Sequence, residues 1–333
     1  MPRQPSRRAR ITATVAAHTL RPITRMVPGN ALGLAFTRGV LAGSLHAFGT
    51  RSRSTVIPVD EPVLDSGRVV GEWVRPRHLD ADAARTDAVI LYIHGSAYVG
   101  CSTSTHRGLV SRIAEQTGLD VFSVEYRLAP RHVFPAAVDD VARAHGWLLD
   151  QGVSPHRIIL MGDSAGGHLA VDLALHLVRS HEAPPAALAV FSPLVDHSFA
   201  LSRRRERLRP DPLVTAADAQ RLIDRYVGHT DITHPRLTHV FAAGEVLPPT
   251  LIQAGGGEML VADAHALHDA LAAAGTPVTL EVWPGQIHVF QAMPRLVPEA
   301  DAALRRATDF VTRAAARARL SVVDDASGSG MSA

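Results

Sequence analysis

Lysine is missing from this 333-residue chain, and all 34 basic side chains are arginine. With the abundance of alanine, that absence reads as the codon bias of a GC-rich genome and carries no functional weight. Cysteine is almost missing too. A single residue, Cys101, excludes an internal disulfide framework. It stands in GCSTSTHR, where no elbow motif surrounds it, so a cysteine nucleophile is set aside. No HExxH, CxxC or His-x-His pattern organises the 18 histidines, and neither a metal nor a cofactor is expected. The net charge of +2 is too small over this length to point to nucleic acid. No apolar run approaches the ~20 residues that span a bilayer.

The first 59 residues also lack acids, while carrying Arg3, Arg7, Arg8, Arg10, Arg21, Arg25, Arg38, Arg51 and Arg53. That composition suits a targeting peptide or a membrane-surface helix. Thr, His and Arg interrupt the apolar residues from Ile11 to Leu20, however, and no small-residue cleavage site follows a clean apolar core. The first reading is therefore helices packed over an active site in a cytoplasmic protein. Peripheral membrane contact through this segment is the second.

What is present is a large apolar fraction, 46%, arranged in short runs that alternate with helical patterns from Thr55 onward. Strands are expected at 55–59, 68–74, 88–93, 121–125, 157–161, 187–191, 250–254 and 278–283. Continuous runs such as AVILYI and RIILM suit strands buried on both faces of a parallel sheet. Helices are expected at 105–117, 135–149, 165–179, 260–274 and 299–316. The alternation predicts a doubly wound α/β architecture, and two strands before any intervening helix predict an antiparallel start. Residues 1–53 and 198–228 break the alternation and are assigned to a helical cap. The α/β core then comprises 54–197 and 229–320, and the Ser-, Gly- and Asp-rich stretch 321–333 is expected to be disordered.

The chemistry centres on Gly162-Asp163-Ser164-Ala165-Gly166. This pentapeptide begins where RIILM ends and leads into the helical run AGGHLAVDLALHLV. That strand–turn–helix setting is what a nucleophile elbow of the α/β-hydrolase fold requires. The turn strains Ser164, and small residues on either side let it close. Upstream, AVILYI runs into His94-Gly95-Ser96-Ala97-Tyr98. Acyl transfer needs N–H donors aimed at the oxyanion of a tetrahedral intermediate. Those donors are placed at Ser96, Ala97 and Ala165, with Gly95 contributing, and Tyr98 is expected to touch substrate.

These segments resemble the hormone-sensitive lipase family of esterases, bacterial family IV, over roughly residues 88–291. That family carries HGGG upstream of GDSAGG, and YRLAP followed by FPAA is similar to a further family segment. Here Ser96 and Ala97 replace two glycines, which crowds the acyl site and argues against esters of bulky tertiary alcohols. The resemblance implies a mostly parallel eight-stranded sheet and a carboxylesterase for short to medium acyl chains, acting on a small-molecule ester.

An α/β-hydrolase orders its triad Ser, acid, His. His168 and His176 fall on the helix after the elbow, and His265 and His268 fall mid-helix. His288 lies in a loop past the last strand, in PGQIHVF, which is similar to the family's final motif. It is the expected base. The acid is expected in GGGEMLVAD. Aligned with the family's Asp-Pro-Leu-x-Asp-Glu, Glu258 takes the acid position and Asp263 the outer carboxylate. An amidase, deacetylase or lactonase would use the same residues, as would a membrane-associated lipid hydrolase. A non-catalytic ligand-binding protein on this fold remains a rival of a different class.

Overall fold

The computed structural model describes residues 4–26, 31–63, 67–77 and 88–328. Eight strands are found among them: β1 (Thr55–Val63), β2 (Gly67–Arg75), β3 (Val89–Ile93), β4 (Asp120–Val124), β5 (Ile158–Asp163), β6 (Ala187–Phe191), β7 (Thr250–Gly255) and β8 (Val278–Trp283). They form one sheet in the order β1-β2-β4-β3-β5-β6-β7-β8. The pairs β1–β2 and β2–β4 are antiparallel, and every pair from β4–β3 to β7–β8 is parallel. This is the α/β architecture expected from the alternating runs, including its antiparallel start.

The helices are α1 (Arg7–Met26), α2 (Ala31–Phe48), α3 (Thr103–Thr117), α4 (Ala136–Asp150), α5 (Ala165–Arg179), α6 (Ala200–Leu208), α7 (Ala216–Val227), α8 (Val261–Ala274) and α9 (Glu299–Gly328). Strand alternation sorts the core into two layers. Val89, Leu91 and Ile93 of β3 pack toward α4, α5 and α8, while Ile90 and Tyr92 pack toward α3 and α9. All five are buried, each large aliphatic contributing roughly 1.5–3 kcal/mol. Local signals set the boundaries of α3: Ser102 and Thr105 form a reciprocal capping box, and Gly118 ends the helix at φ 67°.

Helix α9 runs on to Gly328, against the disorder expected from residue 321. Extending a helix already nucleated over Glu299–Arg319 fixes one residue per hydrogen bond, so Ser and Asp continue it where they would not start one. Residues 329–333 of that expectation lie outside the described residues.

Outside the sheet, α6 and α7 occupy the stretch between β6 and β7. The N-terminal helices dock separately. The Ser6 N–H and hydroxyl donate to Glu299 at 2.7 and 3.1 Å, and Ala9 is buried with Trp283, Ile287 and Phe290. At the end of α2, the Arg295 guanidinium donates to Ala47 O at 3.2 Å. Because Arg8 donates to Arg295 O at 2.6 Å, the start of α1 and the end of α2 converge on one residue.

Candidate active site

Parallel pairing brings the C-terminal ends of β3, β5, β7 and β8 to one edge of the sheet, and the motif residues follow those ends. Ser164 leaves β5 at φ 53° and ψ −120° and starts α5. A non-glycine residue there is strained by roughly 1–3 kcal/mol and must be held by its surroundings. The Ser164 N–H donates to Phe191 O at 2.9 Å, and its carbonyl accepts from Leu194 N at 3.1 Å. Both elbow glycines are sterically required. A Cβ at Gly162 would fall 2.5 Å from Gly166 O, and one at Gly166 2.1 Å from Ile93 O.

His288 lies 2.9 Å through Nε2 from Ser164 Oγ and 2.5 Å through Nδ1 from Glu258 Oε2. The other Glu258 oxygen accepts from Ser192 Oγ at 2.8 Å and from Gly255 N at 2.6 Å. The glycine triplet explains how acid and base loops meet: a Cβ at Gly255 would lie 2.4 Å from Gln286 O. Gly256 N and Gly257 N donate across to Trp283 O and Gln286 O at 2.7 and 2.9 Å. Burial disfavours the His288 cation, but the charge and hydrogen bond of Glu258 outweigh it, with smaller help from Asp211 and Asp163. The net shift is upward from the ordinary 6.5.

Asp263 stands elsewhere. Its Oδ1 accepts from the amides of Val195 and Asp196 at 2.9 and 2.8 Å, and Oδ2 accepts from Ser202 at 3.3 Å. Burial pushes its carboxyl up to about 7 against those hydrogen bonds. It braces the loop after β6, while Glu258 is the carboxylate on the histidine. His168 is buried with Nε2 3.3 Å from Leu237 O, away from the serine. Cys101 has its thiol pushed up to about 12 by burial, so no thiolate is available near neutrality.

Gly95 packs on Ser164, since a Cβ there would fall 2.9 Å from Ser164 Cβ. Beyond it, Ala97 and Tyr98 take positive φ of 52° and 60°, conformations in which glycine is more at ease. The Ser96 hydroxyl is 3.1 Å from Tyr126 Oη, which donates to His94 O at 2.7 Å. Ala165 opens α5, so its N–H belongs to the unsatisfied, positive end of that helix. Beneath the loop, buried Asp163 accepts from Tyr92 Oη at 2.7 Å and lies 3.4 Å from His106 Nε2. Burial raises this carboxyl, yet His106 and Tyr92 leave it below its ordinary value.

Tyr98 corrects an expectation. Its side chain is fully buried, stacked on Tyr226 at 3.9 Å, with its hydroxyl 3.0 Å from His197 Nε2. The ring joins the loop to the core and cap instead of facing a ligand. Three residues that no sequence pattern marked also enter the site: Ser192, which bridges Glu258 and the Val289 amide (3.1 Å); Asp211, which accepts from Met259 N at 2.7 Å; and Arg38 of α2, which donates to Val99 O in the loop after β3. Ser192 and Asp211 hold main chain on the acid and base loops, and Arg38 holds main chain alone. Among the described residues, no group of three or more His, Cys, Asp or Glu is placed to hold a metal ion.

Comparison with known proteins gives the family of the chain. Residues 90–292 match an α/β-hydrolase fold family. An acetyl-hydrolase of Streptomyces hygroscopicus is 39% identical over 76% of this chain and 82% of its own. The carboxylesterase/phospholipase LipF of Mycobacterium tuberculosis is 37% identical over 71% of this chain and 64% of its own. The crystal structure of an esterase from the bacterial hormone-sensitive lipase family superposes with a TM-score of 0.79 at 32% identity, covering 95% of this chain and all of the other.

Proposed function

This chain belongs to the hormone-sensitive-lipase-like esterases of bacterial family IV, carboxylic ester hydrolases of the α/β-hydrolase fold, and we propose that it cleaves short- to medium-chain esters through an acyl-enzyme on Ser164. The observation that carries this reading is the unbroken hydrogen-bonded row from Ser164 Oγ through His288 to Glu258. His288 Nε2 takes the hydroxyl proton as Oγ attacks the ester carbonyl. The amides of Ser96, Ala97 and Ala165, with Gly95, hold the oxyanion. His288 then returns the proton to the departing alcohol, and water activated by the same ring releases the acid. Glu258 keeps the ring in the tautomer that presents a lone pair to serine and stabilises the imidazolium.

Ser96 and Ala97 stand where the family carries glycines, so esters of tertiary alcohols should be poor substrates. The preference for short acyl chains draws support from the acetyl-hydrolase relative. Turnover of p-nitrophenyl esters by wild type and Ser164→Ala tests the proposal, and equal rates would sink it. A screen over acyl lengths, lactones and acetylated amines separates the esterase from its amidase, lactonase and deacetylase rivals. Labelling of Ser164 by a fluorophosphonate separates all of these from a ligand-binding protein.

A second reading concerns location. Against the absence of a bilayer-length apolar run read from the sequence, helix α2 is the one described helix long and apolar enough, by length and composition, to cross a membrane, and only 11% of it is buried. It exposes Leu32, Phe36, Leu41 and Phe48, while its one arginine turns inward. In a segment without acids, that surface suits peripheral contact with an anionic bilayer. Flotation with phosphatidylglycerol and phosphatidylcholine vesicles tests this. Leu32→Ser/Phe36→Ser should abolish binding to the anionic vesicles, and undiminished binding removes the reading.

A further inference from the structure

We infer that Arg38, on the N-terminal helix α2, is a positioning residue for the oxyanion loop, so that this helix is part of the catalytic apparatus and not only a cover. The inference rests on the esterase reading above. The loop after β3 holds Ala97, Tyr98 and Cys101 at φ of 52°, 60° and 58°. Three non-glycine residues in the left-handed region within five positions do not hold that shape unaided. Such a segment persists when its surroundings over-determine it.

The restraints can be traced bond by bond. Val99 N donates to Ser96 O at 3.1 Å, closing a turn around the strained pair. Ala129 N donates to Tyr98 O at 2.9 Å, tying the loop to the segment after β4. Arg38 completes the ring: Nε donates to Val99 O at 2.5 Å and Nη2 to Ala129 O at 3.0 Å. Its aliphatic stem lies on Gly100, where a Cβ would come within 3.1 Å of Arg38 Cγ. One guanidinium thus clamps both sides of the contact that sets the carbonyl of Tyr98. Ala97 N, an expected oxyanion donor, lies inside that turn, one residue before the contact.

The surroundings of Arg38 argue against ordinary surface solvation. Apart from His46, it is the one residue of α2 that can carry charge, in ALGLAFTRGVLAGSLHAF. Its hydrogen bonds go to two main-chain carbonyls, and among the described residues no ion pair joins it to a carboxylate. Two acceptors, one on Nε and one on Nη2, match the planar fork of arginine, which a lysine ammonium cannot copy.

Arg38→Ala and Arg38→Lys test the role by three measurements. In the alanine variant kcat/KM for p-nitrophenyl acetate should fall about 10- to 100-fold, mainly in kcat, because amide aim matters more to the transition state than to bound ester. The inhibition constant for a phenylboronic acid, which forms a tetrahedral adduct on serine, should weaken by a similar factor. Labelling of Ser164 by a fluorophosphonate should slow in parallel, and lysine should recover part of each effect. A variant that melts earlier but keeps its kcat and boronate affinity overturns the proposal and leaves Arg38 a staple for α2. Wild-type protein that is neither labelled nor active sinks the esterase reading and this proposal with it. A labelled, active wild type with an unchanged Arg38→Ala sinks only the present inference.

Discussion

Asp211, in the segment between α6 and α7, accepts a hydrogen bond at 2.7 Å from the amide of Met259, the residue after Glu258. Its other oxygen accepts from Leu213 N at 2.7 Å. The cap insertion therefore grips the turn that carries the proposed acid. Burial pushes this carboxyl up to about 6, the nearby Glu258 charge adding to the rise and the two amides opposing it. With the folded value above the unfolded one, the associated stability is present in full below about pH 4 and is lost as pH rises through 6. The difference amounts to roughly 3 kcal/mol. Asp211→Asn should flatten the change in urea midpoint between pH 4.5 and 7.5. A variant with the wild-type pH dependence contradicts this account.

His288 makes a second pH prediction. With its neutral ring as the proposed base, an upward-shifted pKa places the acid limb of kcat/KM above 6.5. The stability contributed by its cation beside Glu258 runs the other way, complete below about 6.5 and fading as pH rises through the raised value. Glu258→Gln should move the limb downward and reduce kcat by about 10^3- to 10^4-fold. Asp263→Asn should leave the limb in place and cost less than about tenfold. A pH–rate profile for each variant decides, and a larger loss in the second would reassign the acid.

Ser192 offers a finer probe of the same row. Its hydroxyl donates to Glu258 and accepts from Val289 N, one residue past the histidine. Ser192→Ala leaves both partners short of a bond in a buried place, a cost of about 1–3 kcal/mol. Kinetics and thermal melting should show a fall in kcat with KM little changed. A loss confined to melting temperature would make Ser192 purely structural.

Two glycines should respond in opposite directions. A Cβ at Gly95 would stand 2.2 Å from Asp163 Oδ2 and 2.7 Å from Asp163 O, with nowhere to shift. Gly95→Ala should destabilise by about 3 kcal/mol and abolish activity. Gly146, inside α4, has nothing within 4 Å of a new Cβ. Gly146→Ala should stabilise by about 0.5–1 kcal/mol. Denaturant melts of the two proteins compare them directly.

Much of this fold was legible because the parallel strands carry their own signature. All eight runs read from the sequence overlap strands, with 88–93, 121–125 and 157–161 each reaching one residue outside theirs and β1 extending four further to Val63. Five helices were equally visible through caps and periodicity. The limits of α2 and α6 were not, since an almost uniformly apolar stretch and an almost uniformly polar one give no clear amphipathic stripe. Ser164 and His288 stood out because strand ends and chain order locate them, and Glu258 through its alignment with the family's acid motif. Tyr98 was misread because its partners His197 and Tyr226 come from distant segments, and sequence does not show which way an aromatic ring turns. Arg38 and Asp211 were invisible for another reason. They bind main-chain atoms, which leave no residue-type pattern to recognise.

The hydrogen bond between Ser164 and His288 joins residues 124 positions apart, and β8, which delivers the histidine loop, is the last strand at its edge of the sheet. Contacts of such long range form late, because loop closure must precede the pairing that rewards it. After dilution from denaturant, helical signal should therefore return ahead of ester hydrolysis. The regain of activity then serves as a clock for the docking of the final strand.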